Sequence, residues 1–188
     1  MACDKATLDA RLQDWLQSIK QFTLPEWDAL PQLDLYMDQV IILLKQYLAP
    51  LHRGEEDKAI TASIINNYVR MKVIPAPVKK KYSRVHLACL IMICSLKRSL
   101  SISCIQRILP SDHNEESVRQ LYNDFVRQHD SAQKQFIRQT QSSIFTDNVT
   151  EVLTSCAIIS NLSTGLSDFL LQEGSTEQPD KTKTGSAD

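Results

Sequence analysis

The sequence predicts a mainly all-α protein, and three observations support this class. The chain of 188 residues has only four glycines, whereas phosphate-cradling loops, dinucleotide fingerprints and tight primed hairpins need glycine where φ is positive or the backbone approaches a ligand. Apolar side chains recur at helical spacing along most of the chain. The longest apolar run, residues 87–96, is well short of the roughly 20 residues that span a bilayer. We therefore expect no nucleotide-binding α/β fold and no membrane segment.

Two amphipathic helices are predicted in the first 50 residues. The first runs from Thr7 to Phe22, where apolar residues alternate at spacings of four and three. Pro25 and Pro31 bracket a non-helical connector, and a broadly apolar second helix extends from Asp34 to Ala49. A polar loop follows the second helix.

Three shorter helices are predicted between residues 61 and 109, each with a serine or threonine N-cap. Two prolines end the first of the three, because proline lacks an N–H and disfavours helix in the residue before it. We expect the segment from Val78 to Tyr82 to be extended, and the apolar helix after it to be the central core helix. The predicted elements are a helix from the Thr61 cap to about Lys72, a helix from the Ser83 cap to about Arg98, and a helix from the Ser101 cap to Leu109.

The C-terminal part is predicted to form two further helices and a tail. One apolar stripe starts after Glu115 and continues to Phe136, and a second helix runs from Asp147 to Leu171. The predicted organisation has four parts. An N-terminal helix and connector (1–32) pack on a central domain (33–110), which we call the head. A helical C-terminal or dimerisation region (111–171) and a disordered tail (172–188) follow.

The charged side chains are strongly segregated although the formal net charge is only −1. Residues 58–110 contain ten lysines and arginines and no acidic residue, while the segments on either side are acidic. An acid-free basic block within a neutral chain is typical of a domain that binds a polyanion.

The third predicted helix has one face suited to reading base edges. A helical projection places Ile64, Ile65 and Tyr68 on one side, and the opposite side carries small residues, two amides and one arginine. Asparagine pairs with adenine and arginine with guanine, whereas a generic solvated face more often carries Glu and Lys. The predicted readers are Ser63, Asn66, Asn67 and Arg70.

This part of the chain resembles the winged helix-turn-helix head of MerR-type regulators. The resemblance rests on residues 60–74, Ile-Thr-Ala-Ser-Ile-Ile-Asn-Asn-Tyr-Val-Arg-Met-Lys-Val-Ile, then Pro-Ala-Pro, and on Tyr-Ser-Arg-Val-His-Leu at 82–87. Residues 99–105 resemble the opening of that family's next helix. The chain departs from the pattern where Asn66 replaces an arginine, where Lys72 replaces the helix-ending glycine, and in its shorter wing. The whole chain also resembles a family of uncharacterised bacterial proteins that share this head.

The resemblance implies a sequence-specific regulator that binds double-stranded DNA. The third helix would enter the major groove, and the basic wing would contact phosphates without reading sequence. The implied phosphate-binding residues are Lys79, Lys80 and Lys81, and Lys72 and Arg84 are further predicted DNA-binding residues.

Other readings of the sequence lead to different expectations. Cys89 and Cys94 lie about 140° apart on a helix and cannot chelate one ion unaided, so no metal and no cofactor is expected. The five irregularly spaced cysteines and the absence of an apolar leader indicate the cytoplasm. No catalytic constellation is present, so the chain is not expected to be an enzyme.

The stripe after Glu115 can pack either on a second copy, giving a homodimer through residues 115–171, or on the second C-terminal helix. The alternative function is a helical protein-interaction module without specific DNA binding.

Overall fold

The computed structural model describes residues 5–51, 60–143 and 149–173, and these residues are mostly helical. The polar loop at 52–59 and the predicted tail from residue 174 onward lie outside the described residues. The chain divides into two compact units, residues 1–143 and 144–188. The seven α-helices of the described part are α1 (Lys5–Gln21), α2 (Met37–Leu48), α3 (Ala62–Arg70), α4 (Arg84–Leu96), α5 (Ile102–Ile108), α6 (Glu115–Ser143) and α7 (Val149–Glu173).

Helix α4 lies at the centre of the first unit. Every residue from Val85 to Cys94 is buried, so this helix has no solvent-exposed side over almost three turns. Apolar residues of α2, α3, α5 and α6 belong to the same core cluster. The prediction that this apolar segment forms the central core helix is confirmed.

Helix α1 and the connector after it pack against α6. The ring of Trp15 meets that of Phe136 edge-on at 6.1 Å between centroids. Gln133 of α6 donates two hydrogen bonds from Nε2, to the carbonyl oxygens of Ile19 (2.6 Å) and Phe22 (2.8 Å) at the end of α1. Such carbonyls have no partner within their own helix. An amide from α6 therefore completes the C-terminus of α1.

The connector contributes two large aromatic contacts to the core. Trp27, in a 3₁₀ turn at Trp27–Ala29, is 2% exposed and meets the ring of Tyr122 edge-on at 6.2 Å. The hydroxyl of the fully buried Tyr122 donates to the Pro25 carbonyl oxygen at 2.8 Å. The connector is thus held to α6 by packing and by one long-range hydrogen bond.

Helix α7 forms part of the second compact unit, and none of its described side chains is buried. Eight of its large apolar residues are exposed to between 50% and 67%, and Val152 and Leu171 are partly buried. The three ionisable carboxylates in the helix are Glu151, Asp168 and Glu173, with no lysine or arginine among its residues.

Replacing Tyr122 with Phe should lower the free energy of unfolding by about 1–2 kcal/mol, because the Pro25 carbonyl loses its donor while the ring stays buried. Urea denaturation of the variant and the parent measures this difference. The matched control is Tyr36→Phe at a side chain that is 53% exposed, which should change stability little. If Tyr122→Phe changes the free energy of unfolding as little as Tyr36→Phe does, the buried hydroxyl contributes nothing to stability.

Candidate nucleic-acid interface

Helix α3 has one buried and one exposed face, as its sequence pattern predicts. The Thr61 hydroxyl accepts a hydrogen bond from the Ile64 N–H at 3.4 Å, which caps the helix where the sequence predicts. Ile65 and Tyr68 are buried in the core cluster. Ser63, Asn66 and Arg70 are exposed and follow one another at spacings of three and four, so they share one face.

Asn67, which is predicted to contact base edges, has a side chain that contacts other residues at the C-terminal end of α3. Its Oδ1 accepts a hydrogen bond from Arg70 Nη2 at 2.6 Å, and its Nδ2 lies 3.3 Å from the Met71 sulfur. The side chain is only half-exposed. Asn67 therefore positions the Arg70 guanidinium in the unbound protein.

The C-terminus of α3 closes as a Schellman motif two residues earlier than predicted. The Val73 N–H donates to the Tyr68 carbonyl (2.9 Å), and the Lys72 N–H donates to the Val69 carbonyl (3.0 Å). Lys72 occupies the left-handed position of this motif with φ of 57°. Lys72 therefore adopts a backbone conformation that glycine takes most readily, and its exposed side chain is turned out of the helix.

The segment predicted to be the wing is a two-residue hairpin rather than the extended segment that the sequence predicts. Val78 and Lys81 exchange both backbone hydrogen bonds, at 3.1 and 2.9 Å. Lys79 and Lys80 form the turn with φ of 50° and 64°, the signs required by a type I′ turn. The prediction that scarce glycine excludes primed hairpins is wrong at this site. Both turn lysines are exposed.

The base of this hairpin is attached to the segment before α2. Tyr82 and Leu35 exchange backbone hydrogen bonds of 2.8 and 2.9 Å, and Tyr82 is 3% exposed. The Lys81 ammonium lies 5.4 Å from the centre of the Tyr36 ring, within cation–π range. The hairpin is therefore fixed at its root while its tip faces solvent.

Arg84 has surroundings different from those of the wing lysines. Its guanidinium lies 5.5 Å from the centre of the Trp27 ring and 3.9 Å from an Asp28 oxygen, and the side chain is only 14% exposed. Arg119 approaches the same carboxylate at 3.6 Å. The structure thus places Arg84 against the connector.

His86 is buried beneath the wing at the start of α4. Its Nδ1 accepts the Ser83 N–H at 3.0 Å, forming half of a capping box. The Tyr82 ring meets the imidazole edge-on at 5.3 Å. Burial lowers the pKa of His86, mainly by desolvation of the charged form.

The core cysteines of α4 are inert packing residues. Burial raises the pKa of the Cys89 thiol to about 12 and that of Cys94 to about 11, so neither carries thiolate at neutral pH. Among the described residues, no group of three or more His, Cys, Asp or Glu side chains could hold a metal ion.

Two side chains that contact the C-terminal end of α3 were not predicted from the sequence. Gln106 of α5 donates from Nε2 toward the carbonyl oxygens of Met71 (3.4 Å) and Lys72 (3.3 Å). His113 Nε2 lies 3.1 Å from the Val73 carbonyl oxygen. These contacts join residues at least 34 positions apart, a distance at which no local pattern identifies partners.

The chain belongs to a family defined by the domain of unknown function DUF1836, which matches residues 25–125. This range contains the connector, α2 to α5 and the first turns of α6. No curated protein and no solved structure matches the chain. None of the helices in the described ranges is long and apolar enough to cross a membrane.

Lowering the pH from 7.5 to 5.5 should decrease the free energy of unfolding. The folded-state pKa values of His86 and His129 are both lowered, chiefly by burial. The unfolded chain therefore binds more protons below about pH 6.5, and stability falls as the pH passes below that value. His86→Gln retains an acceptor for the Ser83 N–H but cannot titrate, so denaturation curves of this variant should show a weaker pH dependence. An unchanged pH dependence in both His86→Gln and His129→Gln would contradict this assignment.

Proposed function

We propose that the protein is a sequence-specific DNA-binding regulator of MerR-like type, with α2, α3, the hairpin and α4 forming a winged helix-turn-helix head. The observation that carries this proposal is the exposed face of α3, which has serine, amide and guanidinium groups and lies within an acid-free basic block. Such a face suits the edges of base pairs in the major groove.

The arrangement of the head supports this function. The apolar side of α3 packs into the cluster that contains α2 and α4, so its polar side is directed to solvent. The hairpin is connected to α3 by residues 71–77 and is fixed to the segment before α2 through the Leu35–Tyr82 pairing. A groove-binding helix and a phosphate-binding wing are thereby attached to one rigid core, which is what simultaneous contacts to DNA require.

The predicted site residues take different roles in this proposal. Ser63, Asn66 and Arg70 contact base edges, and Asn67 orients Arg70 or is released to pair with a base. Lys72, Lys79 and Lys80 contact phosphates, since phosphate contacts position a protein on DNA without reading sequence. Lys81 stabilises the wing through its cation–π contact with Tyr36, and Arg84 stabilises the connector through its contact with Trp27. No residue is assigned a catalytic role.

The DNA-binding protein is proposed to act as a homodimer through residues 115–171. Val118 and Tyr122 of the α6 stripe are buried in the core of the first unit, so the proposed contact surface is α7. Dimeric helix-turn-helix proteins read two half-sites, and the second contact gains from effective concentration. Within α7, Val152, Ile159 and Leu166 recur every seven residues on one side. The second candidate function, a protein-interaction module, is favoured by the exposed apolar side chains of α7, among them Ile159 and Leu166.

Replacing Lys79 and Lys80 with Asn and Gly should weaken DNA binding without destabilising the fold. Asn-Gly is the preferred pair for a type I′ turn, so the thermal midpoint should stay equal or rise while two positive charges are lost. Affinity for cognate and random DNA should fall alike, and the slope of log K against log salt concentration should flatten by about 0.9 per lost phosphate contact. The charge-matched control is Lys20→Gln with Lys134→Gln, outside the basic block. If the Asn-Gly variant binds DNA like the parent with the same salt slope, the wing does not contact phosphates.

Replacing Asn66 with Ala should reduce discrimination between DNA sequences. A lost bidentate contact corresponds to about 1–3 kcal/mol, so affinity for a site selected from a random library should fall by roughly 5- to 150-fold, with random DNA and the salt slope unaffected. Gln17→Ala, which removes an exposed amide from α1, is the control. If the parent chain selects no sequence from the library, specific recognition fails and the protein-interaction module becomes the better explanation.

A further inference from the structure

The first compact unit contains a cavity of about 370 Å³ between α4, α5 and α6. Leu96 of α4, Ile105 and Ile108 of α5, and Leu121 and Phe125 of α6 contribute apolar walls. This volume lies within the range of roughly 300–1,000 Å³ typical of small-molecule sites, which are also mostly apolar.

The polar groups of the lining leave no uncompensated charge toward the cavity. The Asp124 carboxylate is paired with the Arg127 guanidinium. The Ser95 hydroxyl donates to the Ile91 carbonyl at 2.8 Å. His129 packs between the rings of Phe22 and Phe125, and burial lowers its pKa, so the imidazole is neutral at pH 7. An ionic ligand would lose its hydration here without gaining a counter-charge.

One wall of the cavity is also the support for the end of α3. Helix α5 directs Ile105 and Ile108 to the cavity, while Gln106 donates from the same helix toward the Met71 and Lys72 carbonyl oxygens. The chain leaving α5 places His113 against the Val73 carbonyl. A displacement of this short helix therefore changes the hydrogen bonds to the carbonyl oxygens of residues 71–73.

We propose that this cavity binds a small, neutral, mainly apolar molecule, and that α5 relays its occupancy to the C-terminus of α3. The Gln128 amide and the His129 imidazole at the lining accommodate one hydrogen-bonding group of such a ligand. The consequence for DNA affinity rests on the function proposed above, but the binding site and the relay do not.

Binding is tested with N-phenyl-1-naphthylamine, a neutral apolar probe whose fluorescence rises in apolar surroundings, added to the full chain. The parent should give a saturable increase. Leu121→Trp and Ile108→Trp each fill the cavity, so whichever variant retains its helical circular dichroism and cooperative unfolding should bind the probe at least tenfold more weakly. Leu33→Trp, at a side chain that is 80% exposed and outside the lining, should bind like the parent. No saturable binding by the parent, or undiminished binding by a folded cavity-filled variant, overturns the site; the latter result would place the probe on another apolar surface such as α7.

The relay is tested without DNA by following backbone amide resonances during the same titration. The amides of Met71, Lys72 and Val73 should shift when the probe binds the parent. In Gln106→Met, which keeps the length of the side chain but lacks its donor, probe affinity should be unchanged and these shifts should fall by at least half. Shifts of equal size in the variant and the parent overturn the relay. Because neither readout involves DNA, a failure here is distinguishable from a failure to bind DNA.

Discussion

Burial of α4 on every side from Val85 to Cys94 is the constraint on which the rest of the head depends. Fully burying one Val, Leu, Ile, Phe or Met side chain stabilises a fold by about 1.5–3 kcal/mol, and the stretch from Val85 to Cys94 buries ten consecutive residues of mostly this kind. A helix can be covered on every side only if several elements pack around it, and α2, α3, α5 and α6 all contribute to its cluster. The apolar stripe of α3 is used for this purpose, so its serine, amide and arginine groups remain on the outer face.

Backbone strain in the described part of the head is concentrated in lysines of the basic block. A non-glycine residue with left-handed geometry costs about 1–2 kcal/mol, and Lys72, Lys79 and Lys80 all adopt it. An Asn-Gly pair would form the same hairpin turn with less strain. Lys79 and Lys80 place two ammonium groups at the tip of a turn whose root is fixed by Leu35 and Tyr82, and the phosphate contacts that we propose depend on this arrangement.

Local sequence signals predicted the helices well, and long-range contacts explain the differences. Thr61, Ser83 and Ser101 all occupy the predicted N-cap positions, because an N-cap depends on residues within one turn. The second helix begins at Met37 rather than Asp34, since Leu35 is paired with Tyr82. The hairpin was missed because glycine content was the only local indicator of a primed turn, whereas here distant pairing holds two lysines in that geometry. The position of Arg84 against Trp27, like the cavity walls, depends on tertiary packing and has no sequence signature.

The left-handed Lys72 is tolerated because the end of α3 is fixed from two directions. Within the chain, the Val73 and Lys72 N–H groups return to Tyr68 and Val69. From outside, Gln106 and His113 contact the carbonyl oxygens of residues 71–73, which a helix C-terminus otherwise leaves without donor partners. A position held by four contacts can sustain strain that any one of them could not. The same contacts join the C-terminus of α3 to α5 and to the segment after it, and this is the connection that the proposed relay uses.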